Sequence, residues 1–279
     1  MAFLYQGYAL GLGGSFTRPT RTVIPSQASA ALSIGGGYGS DAVGSSIFAL
    51  AGEPPISIGS ARADVQGVGG EGGVHVTIAT ATVEDFNLQN RVTATRLVSQ
   101  LTSIHMEGDD EPAIQIQGSL IDGLTINGVR LRLTYFTDTE LPTRHATFVN
   151  KYGTDEEFRG LADRCFNWLQ PAEEQPPMHE KLWPLYEWCW RCNGEHRPPQ
   201  SNGRILVSMV KNIERAGGDG EIIIHGNVVT VPNFGRIFLG ELIIEKGLRR
   251  LNMIRFNLGS PSEGDGTAGS SQTNGSTFP

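Results

Sequence analysis

Three cysteines and a histidine carry the most metal-like spacing in this chain. Cys165, Cys189, Cys192 and His196 read C-x23-C-x2-C-x3-H, and three thiolates with one imidazole can close a tetrahedral zinc site that staples a small helical segment. Zinc knuckles usually offer two close ligand pairs, and Cys165 has no such neighbour. Cys165 and Cys189 also fall on apolar faces of helical patterns, where a free cysteine packs as a small hydrophobe. Core packing is therefore the first reading, zinc the second, and redox chemistry at the C-x-x-C pair the third. No cofactor is expected.

The same block holds Trp183, Trp188 and Trp190, flat surfaces on which a sugar or other small ligand could stack. Upstream, His105-Met-Glu107-Gly-Asp109-Asp110-Glu111 gathers carboxylates beside an imidazole, a pattern open to a divalent ion or a general-acid pair. It lacks the regular carboxylate spacing of a calcium loop, so a solvated hairpin tip is the plainer reading. His75, His145 and His225 sit in or near strand-like runs at no recurring spacing. Gly67-Val-Gly-Gly-Glu-Gly72 matches G-x-G-x-x-G letter for letter, but a strand pattern follows where a dinucleotide site needs a helix. A glycine hairpin loop is expected there. Nucleophile elbows, P-loops and H-E-x-x-H are absent from the sequence.

These residues must be positioned by β structure. Val74, Val76, Ile78, Thr80 and Thr82 alternate with His75, Thr77, Ala79, Ala81 and Val83, the period of a strand. Arg91 to His105 gives a second strand candidate, with a short helix as its alternative. Asn127-Gly128 before Val129–Tyr135 predicts a two-residue hairpin with positive φ at both positions, and Asp122-Gly123 could serve similarly. Thr154, followed by acids and then by Phe158, Leu161, Cys165 and Trp168, predicts a helix over 154–169, and a second is expected over 180–192. Strand signals return at 204–210, 221–225, 228–231, 236–244 and 248–258 in the form of a meander. Arg249-Arg250 reads as a solvated strand end. The Gly/Ser/Thr-rich stretch 259–279 reads as a flexible tail tipped by Phe278.

Val231-Pro-Asn-Phe-Gly-Arg-Ile-Phe-Leu-Gly-Glu-Leu242, the Arg249–Ile254 run and the terminal Asn274-Gly-Ser-Thr-Phe-Pro279 resemble a group of uncharacterised bacterial β-rich proteins of similar length. No activity is attached to that group. The resemblance implies a bacterial source and a shared architecture, and it carries no site residues over.

Composition narrows the functional classes. The chain has 279 residues, a net charge of −7 and 36 glycines. No basic stripe suggests nucleic acid, and no run of 18 apolar residues suggests a transmembrane helix. The start lacks the pattern of a signal peptide, so synthesis in a reducing cytoplasm is expected, with leaderless export left open. Most telling, the first 60 residues carry only Arg18, Arg21, Asp41 and Glu53 as charged groups, against a usual fraction of about a quarter. Such a stretch must be covered by the fold or by another chain.

The expected fold is mainly β (α+β): an antiparallel β-sandwich or distorted barrel. One β-rich domain spans 1–258, interrupted by a helical insertion at 153–197 and followed by the tail at 259–279. The expected function is structural: self-assembly, or docking on a larger protein complex, with residues 1–60 at the contacts and Phe278 seated on a neighbouring subunit. The alternatives are a hydrolase-type enzyme on a β scaffold and a carbohydrate- or small-ligand-binding module.

Overall fold

The computed structural model describes residues 2–137, 139–164, 205–259 and 261–278. The chain opens with β1 (Ala2–Phe16), β2 (Thr22–Ala31), β3 (Gly37–Val43), β4 (Ser46–Leu50), β5 (Glu53–Ile58) and β6 (Ser60–Gly69). A short 3-10 turn then leads into the long pair β7 (Val74–Leu88) and β8 (Val92–Met106). Next come β9 (Ala113–Gln115), β10 (Leu120–Asp122), β11 (Thr125–Ile126), β12 (Val129–Tyr135) and two helices, α1 (His145–Thr154) and α2 (Glu156–Arg164). After residue 204 follow β13 (Ile205–Ser208), β14 (Val210–Gly217), β15 (Ile223–His225) and β16 (Val228–Val231). The last three strands are β17 (Gly235–Glu245), β18 (Leu248–Leu258) and β19 (Gly264–Phe278).

Among the described residues these strands make two antiparallel sheets, one of eight strands and one of eleven. The first runs β15-β16-β17-β18-β19-β1-β2, with β13 beside β17. The second runs β14-β12-β11-β8-β7-β5-β4, and β6 joins it between β3 and β7. Neither closes on itself, so the architecture is a mainly-β sandwich and not a barrel. β1 and β19 lie across β7, with β6 also facing β1 and β8 facing β19.

The period-2 pattern of β7 and β8 places Ala79, Ala81, Val83, Leu97 and Leu101 on the interior, all fully buried. Small residues dominate there because the sheets approach closely. A Cβ on Gly11 of β1 would stand 2.6 Å from the Cβ of Ala61 in β6, so only glycine fits. This explains part of the uncharged opening: β1 is a central strand burying Tyr5, Ala9, Leu12 and Phe16.

Several expectations hold in detail. Asn127 and Gly128 turn at φ 48° and 78° between the paired strands β11 and β12. β8 is a strand throughout and not a helix. Pro25 lies in β2, an edge strand paired only with β1, where its missing N–H costs no ladder bond.

Others are corrected. Gly11, Gly13 and Gly14, a cluster that reads as a break between short strands, lie inside β1, which runs through them. The run from 204 to 210 is not one strand. It divides at Met209, with β13 on one sheet and β14 on the other, and the Met209 N–H bonds the Gly240 carbonyl at the crossing. Helix begins at His145, earlier than 153, and ends at Thr154; α2 then starts after Asp155, whose Oδ1 accepts the Phe158 N–H at 2.9 Å. The largest correction concerns the tail. Residues 264–278 form β19, hydrogen-bonded to β18 on one side and β1 on the other, with Phe278 opposite Ala2. The tail is no free tether, because two flanking ladders satisfy its backbone and its small side chains fit beneath the facing sheet.

Candidate functional site

The expected zinc set Cys165, Cys189, Cys192 and His196, and the stacking set Trp183, Trp188 and Trp190, lie outside the described residues. So does the side chain of Phe278; its backbone belongs to the β1–β19 ladder. Among the described residues no group of three or more His, Cys, Asp or Glu could hold a metal ion. The G-x-G-x-x-G stretch closes the β6–β7 hairpin and leads into a strand.

Polar chemistry gathers instead at one end of the space between the sheets. Alternation brings His75 of β7 directly opposite His105 of β8, and both follow the interior-facing parity of Thr77, Ala79, Ser103 and Leu101. Across from them, β1 supplies Phe3 and Tyr5. The Phe3 ring stacks flat on His75, with centroids 4.1 Å apart and planes 1° apart, and stands 5.2 Å from His105. The Tyr5 hydroxyl meets Nδ1 of His75 at 2.8 Å.

His105 is 3% exposed, and neither ring nitrogen has a hydrogen-bond partner among the described residues. Burial lowers its pKa, with His75 and Arg144 adding to that and Asp109 opposing it. A neutral imidazole there holds one N–H donor and one acceptor, both unspent. Asp109 is bound by Arg144 at 2.7 Å, and that bond holds its carboxyl below the usual range.

The turn at 107–112 is not a plain solvated tip. Glu111 is 7% exposed, and its two oxygens accept the N–H groups of His145 and Ala146 at 3.0 and 2.9 Å. It thereby caps α1 with a negative charge where the helix presents its positive end. His145 is buried at that junction, whereas His225 stands exposed at the end of β15, remote in sequence and sheet position.

Arg249 was expected in solvent and is the largest fully buried side chain among the described residues. Its neighbour Arg250 points outward and bonds Gln272 Oε1 through Nε and Nη2. A strand turns alternate side chains to opposite faces, so the two adjacent arginines meet opposite fates. Arg249 Nη2 donates to the Pro142 carbonyl at 2.8 Å. Desolvation pushes its pKa down to about 10, with the Glu111 charge opposing. Opposite it in the ladder stands Thr273, whose Oγ1 is buried without a partner.

The outward face of the first sheet shows the other way to bury charge. Arg255 binds Glu241 through Nε and Nη2, the shortest contact being 2.6 Å, and lies 3.6 Å over the Phe238 ring. Asn252 and Ser270 complete this network. There the Arg255 charge is matched by Glu241.

These features define a β-sandwich whose apolar interior becomes polar at one end. The chain belongs to the family described as Domain of unknown function (DUF8256), which matches residues 3–245. That span ends with β17, so Arg249 and Thr273 lie beyond it. No curated protein and no solved structure matches the chain. No helix among the described residues is long and apolar enough to cross a membrane.

Proposed function

We propose that the protein is structural, joining copies of itself through the edge strands of its N-terminal quarter. One observation supports this reading above the rest. Seven large hydrophobic side chains stand exposed among the described residues, and five of them (Val23, Ile34, Tyr38, Ile47 and Val68) fall between residues 23 and 68. Val23 belongs to β2, Tyr38 to β3 and Ile47 to β4, and each of these is a sheet edge. Edges of this kind are templates for pairing unless charge, proline or another chain blunts them. Only Pro25 and a few charges do so here. The uncharged opening thus divides into two parts: β1 is covered by its own fold, and the following edges are left for a partner.

Pairing of one edge with its own copy about a two-fold axis is the simplest closed arrangement. The experiment is native mass spectrometry with light scattering over a concentration series. A dimer or larger assembly is expected, and a Tyr38→Lys/Ile47→Lys double variant should shift it to monomer while circular dichroism stays unchanged. A clean monomer at high concentration in the unaltered chain overturns the reading. The hydrolase-type alternative, with its site between the meander and the helical insertion, and the carbohydrate-binding alternative, on the insertion's tryptophans, gain ground only in that case.

A further inference from the structure

A guanidinium has five N–H donors, and buried charges are ordinarily paired. Arg249, 2% exposed, spends one bond on the Pro142 carbonyl and forms no ion pair with any described residue. The nearby carboxylates are already engaged. Glu111 holds the first turn of α1 with both oxygens, and Asp109 holds Arg144. Glu111 reaches Arg249 only through space.

The surroundings add further unspent donors. Thr273, directly opposite Arg249 and fully buried, has a hydroxyl without a partner. On the β1 side Thr273 faces Gly7, where a Cβ would stand 3.3 Å from Thr77 of the other sheet. Thr77 pairs with Ser103, and His105 follows two positions on along the same face. The interior strip from Arg249 to His105 therefore spans both sheets. It contains three of the four buried side-chain atoms left without partners among the described residues: His105 Nδ1, His105 Nε2 and Thr273 Oγ1. A fixed positive charge with an excess of donors calls for a ligand that is negative and accepts without donating.

We propose that Arg249 and Thr273 form a buried site for a small oxyanion, the carboxylate or phosphate group of a ligand, at the polar end of the space between the sheets. Arg249 supplies the charge and a forked pair of N–H groups, and Thr273 a hydroxyl donor. The burial of both limits the occupant to a small ion or to the tip of a larger ligand. This site is independent of the assembly edges at 23–68.

The test is thermal unfolding of the full chain at fixed pH and ionic strength, with phosphate or acetate exchanged for chloride. One of the two oxyanions should raise Tm saturably, by about 5 °C near saturation. A response to phosphate alone identifies a phosphate group, and a response to acetate alone a carboxylate. Arg249→Gln should abolish the rise, while Arg250→Gln on the outer face should keep it. Thr273→Val gives an opposed pair of effects that packing alone would not produce. Without anion its Tm should increase, since an unpartnered buried hydroxyl is gone, yet its apparent anion affinity should fall about tenfold. If neither oxyanion acts beyond chloride, water satisfies these donors and the proposal fails. Should Arg249→Gln not fold, an unchanged anion response in Thr273→Val overturns it equally.

Discussion

The two ends of the inter-sheet space are built from the same strands and could hardly differ more. At one end β1, β7, β8 and β18 contribute Phe16, Leu88, Val92, Phe256 and Leu258, all nearly or fully buried and all hydrocarbon. Phe16 and Phe256 stack there with ring centroids 6.2 Å apart. At the other end the same strands place Tyr5, His75, His105 and Arg249. A core needs only shape and hydrophobicity to be stable. Burying an arginine, an imidazole and a free hydroxyl together lowers stability unless something offsets it. The polar end is thus where chemistry is to be sought, and the apolar end is where the fold is held.

Removing bulk from the apolar end should have the largest effect. Phe256→Ala is expected to cost about 3–5 kcal/mol in urea unfolding. A loss below about 1 kcal/mol would erase the contrast between the ends. The Asn127-Gly128 turn lies beside Val92 at this same end, because Ile126 pairs with Val92. Gly128→Val, forced to φ 78°, should cost about 1–3 kcal/mol through backbone strain.

The polar end should announce itself in pH dependence. His105 has a lowered pKa in the folded chain, so the unfolded chain binds more protons as pH falls below 6.5. Stability should be full above that value and decline as pH drops through the lower, folded-state pKa. His75, Asp109 and Arg144 act on the ring as well. The His105→Leu variant isolates its share: its stability should fall less steeply over the same acid range. An identical slope in both proteins would show that His105 is not desolvated. The smallest effect belongs to the rim of the apolar end. Arg18 and Glu263 form an exposed pair at 3.3 Å, and Glu263→Gln should change stability by less than about 1 kcal/mol.

Much of the sandwich is readable along the chain. Alternation marks β7 and β12, and Asn127-Gly128 marks its turn, because each depends on neighbours within a few residues. The histidines at 75 and 105 were readable as strand residues but not as partners, since their pairing follows from the register of two 15-residue strands. Glu111 looked like part of a solvated tip because its role is to cap a helix that starts 34 residues later. Arg249 showed no local sign of burial. Leu-Arg-Arg-Leu is equally compatible with either arginine facing inward, and only the lateral ladder to Thr273 and Ser271 decides which.

What the sequence determined by itself was the secondary-structure class and the uncharged character of the opening, properties carried by side-chain period and composition. What tertiary structure decided was where that opening goes, and the role of the Gly/Ser/Thr stretch at the end. Residues 264–278 have too little bulk to signal a strand. They become one because β1 and β18 offer hydrogen bonds on both flanks. The same long-range closure sets Thr273 beside Arg249. The polar end exists only once residues more than 200 positions apart share a ladder, and no local pattern can encode that.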